Sequence, residues 1–361
     1  MTKQYNTIND YESAARLKLS EKNPAARIGD YIQKSAGSGR TMQANRDAFD
    51  RYQIVPRVLG GITNVDTSVD VVGGKIETPF MIAPTAWHTM FCPNGEIDTA
   101  NAAYEKKTRL VASFYSNKNF EQMGAQRGHL WFNLLPYKDK RLMQHSIDKA
   151  AASGCSAIVL TVDAPLGCKG SANFAYPIDQ LPLLPRDNAL PFTDIKDYYE
   201  KYVDSAASWK DIADIVESSS IPIILKGILH EFDADYAIKA GIKGIIISNH
   251  GGRQMDGVIG TLDALAKMPH IGRRKEMDVY LDGGIRSGED AFKALALGAK
   301  AVLIGRPALY GLSVNGKDGL VDVLDILNDE LKEIMHMSGC ATLADISPER
   351  IHGKRQHSWG I

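Results

Sequence analysis

The chain has 361 residues, 44% of them hydrophobic and 24% charged, with a formal net charge of −1 at pH 7. That balance belongs to a soluble globular protein, and the length suits one large α/β barrel or two ordinary domains. The charge gives no support for a polyanionic partner such as nucleic acid, and no apolar stretch reaches the roughly 18 residues of a membrane span.

The opening stretch MTKQYNTIND lacks the apolar core of a secretory signal. Cys92, Cys155, Cys168 and Cys340 show neither CxxC nor Cys/His metal spacing. Free thiols in a reducing cytosol, and no bound metal, are therefore expected.

In chain order, Tyr11 to Leu19 reads as a helix ahead of the first strand. Short apolar runs then begin at Pro79, Arg109, Leu130, Ile158, Ile221, Ile245, Val279 and Val302. Three of them share one entrance. Gly154, Gly241 and Gly298 each end an Ala/Lys-rich helical run, and the apolar run starts a few residues later. A glycine at a left-handed helix C-cap followed by a strand is a helix-to-strand connection. Continuous rather than alternating apolar strands belong to parallel sheets covered on both faces. About eight such βα units predict a closed (β/α)8 barrel, a TIM barrel, with an N-terminal helical extension. A doubly wound open sheet is the alternative. No linker divides the chain, so residues 1–361 read as a single domain.

One connection is abnormal. From Pro165 to about Ser208, after the fourth strand, prolines at 177, 182, 185 and 191 leave no clean helix. Such a long loop predicts a lid over the C-terminal mouth.

The strand ends carry the chemistry. They read Thr161-Val-Asp163, Lys226-Gly227, Ser248-Asn-His250, Asp282-Gly-Gly284 with Arg286 following, and Gly305-Arg306. Charges that converge on one concave face must be paired or used. His250 can take a proton near neutral pH. Arg253, across two glycines, can hold a carboxylate with its fork. Asp163 could orient the imidazole, and Lys226 could stabilise negative charge developing on a cofactor. Ser287 with Asp290 forms a capping-box pattern opening a helix. The glycines and cations after the seventh and eighth strands suit a phosphate-bearing group.

Together these motifs resemble the FMN-dependent α-hydroxy acid oxidase family, which includes glycolate oxidase and lactate oxidase. The motifs Ala83-Pro-Thr-Ala86, Leu160-Thr-Val-Asp163, Leu225-Lys-Gly, Ser248-Asn-His-Gly-Gly-Arg-Gln, Leu281-Asp-Gly-Gly-Ile-Arg and Ile304-Gly-Arg-Pro carry the likeness, in the family's order. The resemblance implies a single FMN-binding barrel in which His250 is the base and Arg253 the substrate-carboxylate arginine. Asp163 is then the partner of His250, and Lys226 lies beside the flavin. It also implies that Thr85, Ala86, Ser113, Asn133, Thr161 and Ser248 surround the flavin ring and ribityl chain. Asp282, Gly284, Arg286, Gly305 and Arg306 then hold the ribityl chain and phosphate.

Three departures shape the expected substrate. Counting back from Asn45-Arg46-Asp-Ala-Phe49, Gly29 falls where the family has a carboxylate-binding tyrosine, with Tyr31 as the neighbouring candidate. Leu135 stands where the family has a second tyrosine. Lys169 is the nearest cation to an arginine often found after Asp163. The expected reaction is oxidation of a lactate- or glycolate-like 2-hydroxy acid to the 2-oxo acid. Electrons pass to the flavin either as hydride or after carbanion formation. The alternatives are a bulkier hydroxy or amino substrate, or a flavin-binding protein without turnover. The family portion begins within about ten residues of the start, leaving no space for a haem domain. Molecular oxygen, giving hydrogen peroxide, is therefore the expected acceptor. The resemblance also implies a homotetramer.

Overall fold

The computed structural model describes residues 5–22, 28–166 and 195–353. Eight parallel strands close into a barrel: β1 Phe80–Ile82, β2 Leu110–Ala112, β3 Leu130–Leu134, β4 Ala157–Thr161, β5 Ile223–Ile228, β6 Gly244–Ile247, β7 Asp278–Asp282 and β8 Ala301–Ile304. Each strand pairs with its neighbour in sequence. The ring shuts where β8 meets β1, with Val302 opposite Phe80 and Ile304 opposite Ile82. This closure excludes the open-sheet alternative. All eight strands lie where their apolar runs predict them. Every residue of β1 to β4, β6 and β8 is buried, which is why those runs do not alternate.

The barrel interior is a packed cluster to which every strand contributes, among them Met81, Val111, Trp131, Val159, Ile224, Ile246, Tyr280 and Leu303. A hairpin, Val69–Val71 with Gly74–Ile76, stops the N-terminal end by adding Val71 and Ile76 to this cluster. The Val72 amide donates to the Tyr280 hydroxyl at 3.1 Å, and Arg109 Nη2 donates to the Gly73 carbonyl at 2.7 Å. The C-terminal end is left to build a site.

Outside the ring run α1 Ile8–Lys22, α2 Ile28–Gln33, α3 Arg40–Asp50, α4 Glu96–Glu105, α5 Lys140–Ala152, α6 Ile195–Lys201, α7 Trp209–Ser218, α8 Glu231–Lys239, α9 Thr261–Ala266, α10 Gly288–Ala296 and α11 Arg306–Met337. The expected N-terminal helix is α1. Its buried residues Ile8, Tyr11, Ala15 and Leu19 fall on one stripe at helical spacing. That stripe packs on α11, where the Tyr11 hydroxyl donates to Asp322 at 3.0 Å.

The segment from α2 to α3 is fastened to the loop after β6. The N-cap of α3 is Gly39, at φ 81°, which has no side chain to cap with. Asp256 caps the helix from the other loop instead, accepting from the Thr41 amide at 2.8 Å and the Ser38 amide at 2.9 Å. Asn45 and Asn249 exchange reciprocal amide hydrogen bonds of 2.9 and 2.7 Å. The N-terminal extension is therefore tied to the stretch that carries His250 and Arg253.

The long connection after β4 is described only at its ends; residues 167–194 lie outside the described part. Where it resumes, the acidic, tyrosine-bearing stretch that predicts no clean helix is helical, forming α6. Tyr198 explains why. It is fully buried, stacks on Phe114 at 5.1 Å between ring centroids, and donates to the Tyr137 hydroxyl at 2.8 Å.

Candidate active site

The C-terminal mouth holds a cavity of about 1290 Å³, its opening included. The C-terminal ends of all eight strands and the loops after them supply its floor and walls. Thr85 and Ala86 come from β1, Ser113 from β2, Asn133 and Leu135 from β3, Thr161 from β4, Lys226 from β5, and His250 and Arg253 from the loop after β6. Asp282, Gly284 and Arg286 follow β7, while Gly305 and Arg306 follow β8.

His250 sits at φ 59°, in the left-handed region that few non-glycine residues adopt. Its amide donates to Ser248 Oγ at 3.1 Å, and the reciprocal Asn45–Asn249 bonds brace the preceding residue. Such strain persists where the surroundings over-determine it. The ring Nδ1 lies 3.1 Å from Asp163 Oδ1. An ionised carboxylate only accepts, so Nδ1 carries the proton and Nε2 is the basic nitrogen. Burial pushes the Asp163 carboxyl up, but the charges of His250 and then Lys226 outweigh it and hold the group below the usual carboxylate range.

Gly227 makes this approach possible. At φ 115° it occupies a glycine region, and a Cβ there would stand 2.6 Å from the Asp163 Cβ.

Lys226 is 3% exposed, its Nζ 3.3 Å from Asp282 Oδ2 and 3.0 Å from Ser248 Oγ. A buried cation between a carboxylate and a hydroxyl is a paired charge. Asn133 spends its Nδ2 protons on the Val159 carbonyl at 2.9 Å and Thr161 Oγ1 at 2.8 Å. Its amide oxygen is left as an acceptor, and Thr161 keeps a hydroxyl proton to donate.

Arg253, Arg286 and Arg306 all line the cavity, and Arg306 lies within electrostatic reach of the other two. Arg306 donates to the carbonyls of Ile32, Gly251 and Lys34 at 2.9 to 3.0 Å. Burial, with the charges of Arg253 and Arg286 beside it, pulls its guanidinium down to about 9. Arg253 donates to the carbonyls of Tyr31 and Lys34 at 2.8 and 3.0 Å, with its guanidinium 4.8 Å from the centre of the Tyr31 ring.

Most of the residues singled out in the sequence thus meet in one cavity, but not all face it. Ser248 and Asp163 do not line it. They stand behind it, one holding Lys226 and the amide of His250, the other holding the imidazole. Gly29 does not line it either. A Cβ there would meet Leu19, while Tyr31, two residues on, is in the wall. Of the two candidates for the family's tyrosine position, Tyr31 is thus the one that lines the cavity. Leu135 is in the wall as an aliphatic residue. Lys169 lies outside the described residues. Ser287 accepts from the Asp290 amide at 3.1 Å, but the Asp290 carboxylate turns to the Arg286 amide and Arg46, so only half the predicted capping box forms. Sequence reading missed Trp87, Tyr115 and Tyr199, which line the cavity with Tyr31. Trp87 directly follows the Ala83–Ala86 motif and Tyr115 follows Ser113 by two, so nearness to those motifs was the available signal.

The chemistry of the cavity fits FMN. The neighbouring guanidiniums of Arg286 and Arg306 crowd one another in a way that a phosphate dianion relieves. Midway, buried Asp282 Oδ1 has no hydrogen-bond partner among the described residues, as a site for sugar-alcohol hydroxyls requires. At Gly305 a Cβ would reach into the space between Thr85 and Ala83, so the glycine leaves room for a ligand there. Lys226, Asn133 and Thr161 supply donors and an acceptor for a polar heterocycle.

Among the described residues there is no cluster of His, Cys, Asp and Glu that could hold a metal, and no helix long and apolar enough to cross a membrane. Cys92, Cys155 and Cys340 are free thiols, and burial pushes Cys92 and Cys155 up to about 12.

Comparison with known proteins agrees with this geometry. The model of the FMN-dependent dehydrogenase family matches residues 20–353. The chain is 36% identical over 353 residues to 2-hydroxyacid oxidase 2 of Bos taurus, covering 96% of this chain and 98% of that one. It is 36% identical over 356 residues to glycolate oxidase of Spinacia oleracea, covering 95% of each. A crystal structure of mandelate oxidase superposes with a TM-score of 0.88 at 33% identity, covering 97% of this chain and 99% of that one. The chain belongs to the FMN-dependent dehydrogenase family.

Proposed function

We propose that the protein, a single FMN-binding barrel over residues 1–361, oxidises the α-carbon of a 2-hydroxy acid. The product is the 2-oxo acid, and molecular oxygen is the acceptor, leaving as hydrogen peroxide. The observation that carries this reading is the pairing of His250 Nδ1 with Asp163, with His250 and Arg253 lining the same cavity. His250 Nε2 takes a proton from the substrate, and Asp163 stabilises the imidazolium that results. Arg253 binds the substrate carboxylate, and the carbonyls of Tyr31 and Lys34 fix its fork. Arg286 and Arg306 hold the phosphate of FMN, and Asp282 holds its ribityl hydroxyls. Thr85, Ala86, Ser113, Asn133 and Thr161 surround its ring, with Lys226 placing positive charge at the ring's edge. FMN, when bound, takes up the two electrons of the oxidation.

A second reading, the same reaction on a bulkier 2-hydroxy acid, is favoured by Leu135 and Ala164, which make one wall aliphatic. The free cysteines fit a reducing cytosol, and the fully exposed Leu59 beside Val58 fits a surface covered in a tetramer. Hydrogen peroxide release on mixing the FMN-loaded protein with L-lactate, glycolate and mandelate in air tests the reaction and the acceptor together. Peroxide formed in step with 2-oxo acid supports both; flavin reduction without peroxide rejects oxygen as the acceptor. Light scattering on the purified protein tests the tetramer.

A further inference from the structure

His88 has no part in the reading above, yet it is the most completely bonded histidine beside the cavity. It is 1% exposed. Its ring Nε2 lies 2.7 Å from Thr85 Oγ1, and its Nδ1 lies 2.7 Å from Thr99 Oγ1 in α4. Its amide donates to Glu96 Oε1 at 3.1 Å. Thr85 lines the cavity; Thr99, fully buried, does not. Between Thr85 and His88 the chain passes through Trp87 at φ 57° and ψ 54°, a left-handed conformation that few non-glycine residues adopt. The three bonds of His88 pin the end of that turn. The Trp87 ring is thereby set 6.0 Å from Tyr31 and 5.2 Å from Tyr115, centroid to centroid.

The two ring contacts have a further consequence. Burial keeps the imidazole uncharged, against the pull of Glu96. An uncharged imidazole has one N–H and one lone pair. The chain Thr99–His88–Thr85 therefore has two arrangements that differ by the ring nitrogen carrying the proton. With the proton on Nε2, the ring donates to Thr85, whose own hydroxyl proton is free to donate into the cavity. With the proton on Nδ1, the ring donates to Thr99, Thr85 donates back to Nε2, and only lone pairs of Thr85 face the cavity. Neither arrangement changes the charge. Reduction of a flavin turns a ring nitrogen from acceptor to donor, so a hydroxyl able to reverse its role can serve both redox states.

We propose that His88 is a positioning residue that sets the Thr85 hydroxyl against bound FMN and, with Thr99, lets that hydroxyl act as donor or acceptor as the redox state requires. This rests on the reading of the cavity as an FMN site.

The test is the two-electron reduction potential and the absorption spectrum of bound FMN in the wild type and in Thr99→Val, His88→Phe and His88→Gln. Thr99→Val keeps the shape and touches nothing in the cavity. It strips Nδ1 of its partner and so drives the ring proton to Nε2, leaving Thr85 as donor only. The expected result is a lowered melting temperature, from the unsatisfied Nδ1, with a potential moved to more negative values. The expected size is about tenfold in the relative affinity for the two redox states, one buried hydrogen bond, or about 30 mV for a two-electron couple. His88→Phe is expected to weaken FMN binding about tenfold as well. His88→Gln, whose amide both donates and accepts, is expected to recover most of that binding. A Thr99→Val potential equal to the wild type, or moved the other way, overturns the proposal, and so does a glutamine variant no better than phenylalanine. If His88→Phe does not fold, Thr99→Val decides alone. A wild-type protein that takes up no FMN rejects the cofactor reading itself, an outcome distinct from either.

Discussion

Asp163 Oδ1 lies 3.1 Å from His250 Nδ1, and the same aspartate packs so closely on Gly227 that a Cβ there would stand 2.6 Å from its own. The imidazole is thus positioned by a carboxylate whose place is set by a missing side chain. Asp163→Asn keeps the shape but removes the charge that stabilises the imidazolium. It is expected to lower kcat by about a hundredfold to ten-thousandfold, the range of general-base catalysis, with FMN affinity unchanged. Stopped-flow flavin reduction checks this.

Gly227→Ala must displace Asp163 or distort β5, and at φ 115° the backbone itself resists alanine. Flavin reduction is expected to fall by at least about tenfold, and more steeply than FMN binding, because the residue touches the partner of His250. Parallel FMN titration and rapid kinetics distinguish the two effects.

Lys226 and Asp282 form an ion pair with side chains 3% and 8% exposed. Lys226→Met leaves a buried carboxylate without its cation, a change that typically costs about 3–5 kcal/mol. Urea unfolding of the FMN-free protein is expected to show it, and the double variant Lys226→Met/Asp282→Asn is expected to recover most of the loss.

His129 is 4% exposed, and burial, with Arg127 and Arg109 beside it, pulls its imidazole down to about 4. An unfolded chain titrates near 6.5. Between those values the unfolded state binds the extra proton, so folding stability falls as pH drops from about 6.5 to about 4 and levels off below. The full window is worth on the order of 3 kcal/mol. Comparing urea midpoints of the wild type and His129→Phe across that range isolates the contribution, and the variant is expected to have the flatter profile.

Leu135→Tyr narrows the aliphatic wall and adds a phenol. With glycolate or lactate kcat/KM is expected to rise; with mandelate it is expected to fall. Steady-state kinetics on the three acids checks both directions, and unchanged values for all of them remove Leu135 as a determinant of substrate size.

The barrel was legible in the sequence because a strand buried on both faces must be apolar at every position. Ile245-Ile-Ile could serve little else, and Gly241 marked its entrance. The polar strand ends were legible for the complementary reason: Lys226 and Asp282 at the ends of apolar runs must be paired or used. Depth was not legible. Asp163 and Ser248 occupy strand-end positions like Thr161 and Lys226, and only the packing puts them behind the cavity. Counting back from Asn45 leads to Gly29 with Tyr31 as its neighbour, and only the fold shows that Tyr31 lines the cavity. The aromatic wall had no periodic pattern to find, since Tyr31, Trp87, Tyr115 and Tyr199 come from four separate segments, and only nearness to the Ala83–Ala86 motif and to Ser113 pointed to Trp87 and Tyr115.

The most direct test of the account is anaerobic mixing of the FMN-loaded protein, wild type and His250→Ala, with L-lactate, glycolate and mandelate while the visible flavin absorbance is followed. The account predicts rapid bleaching of the wild type by at least one acid. It predicts at least about a hundredfold slower bleaching in His250→Ala, with FMN still bound. Bleaching of the variant at the wild-type rate would contradict the role of His250. A wild type that keeps its flavin oxidised with every 2-hydroxy acid offered, small or bulky, would contradict the proposed reaction.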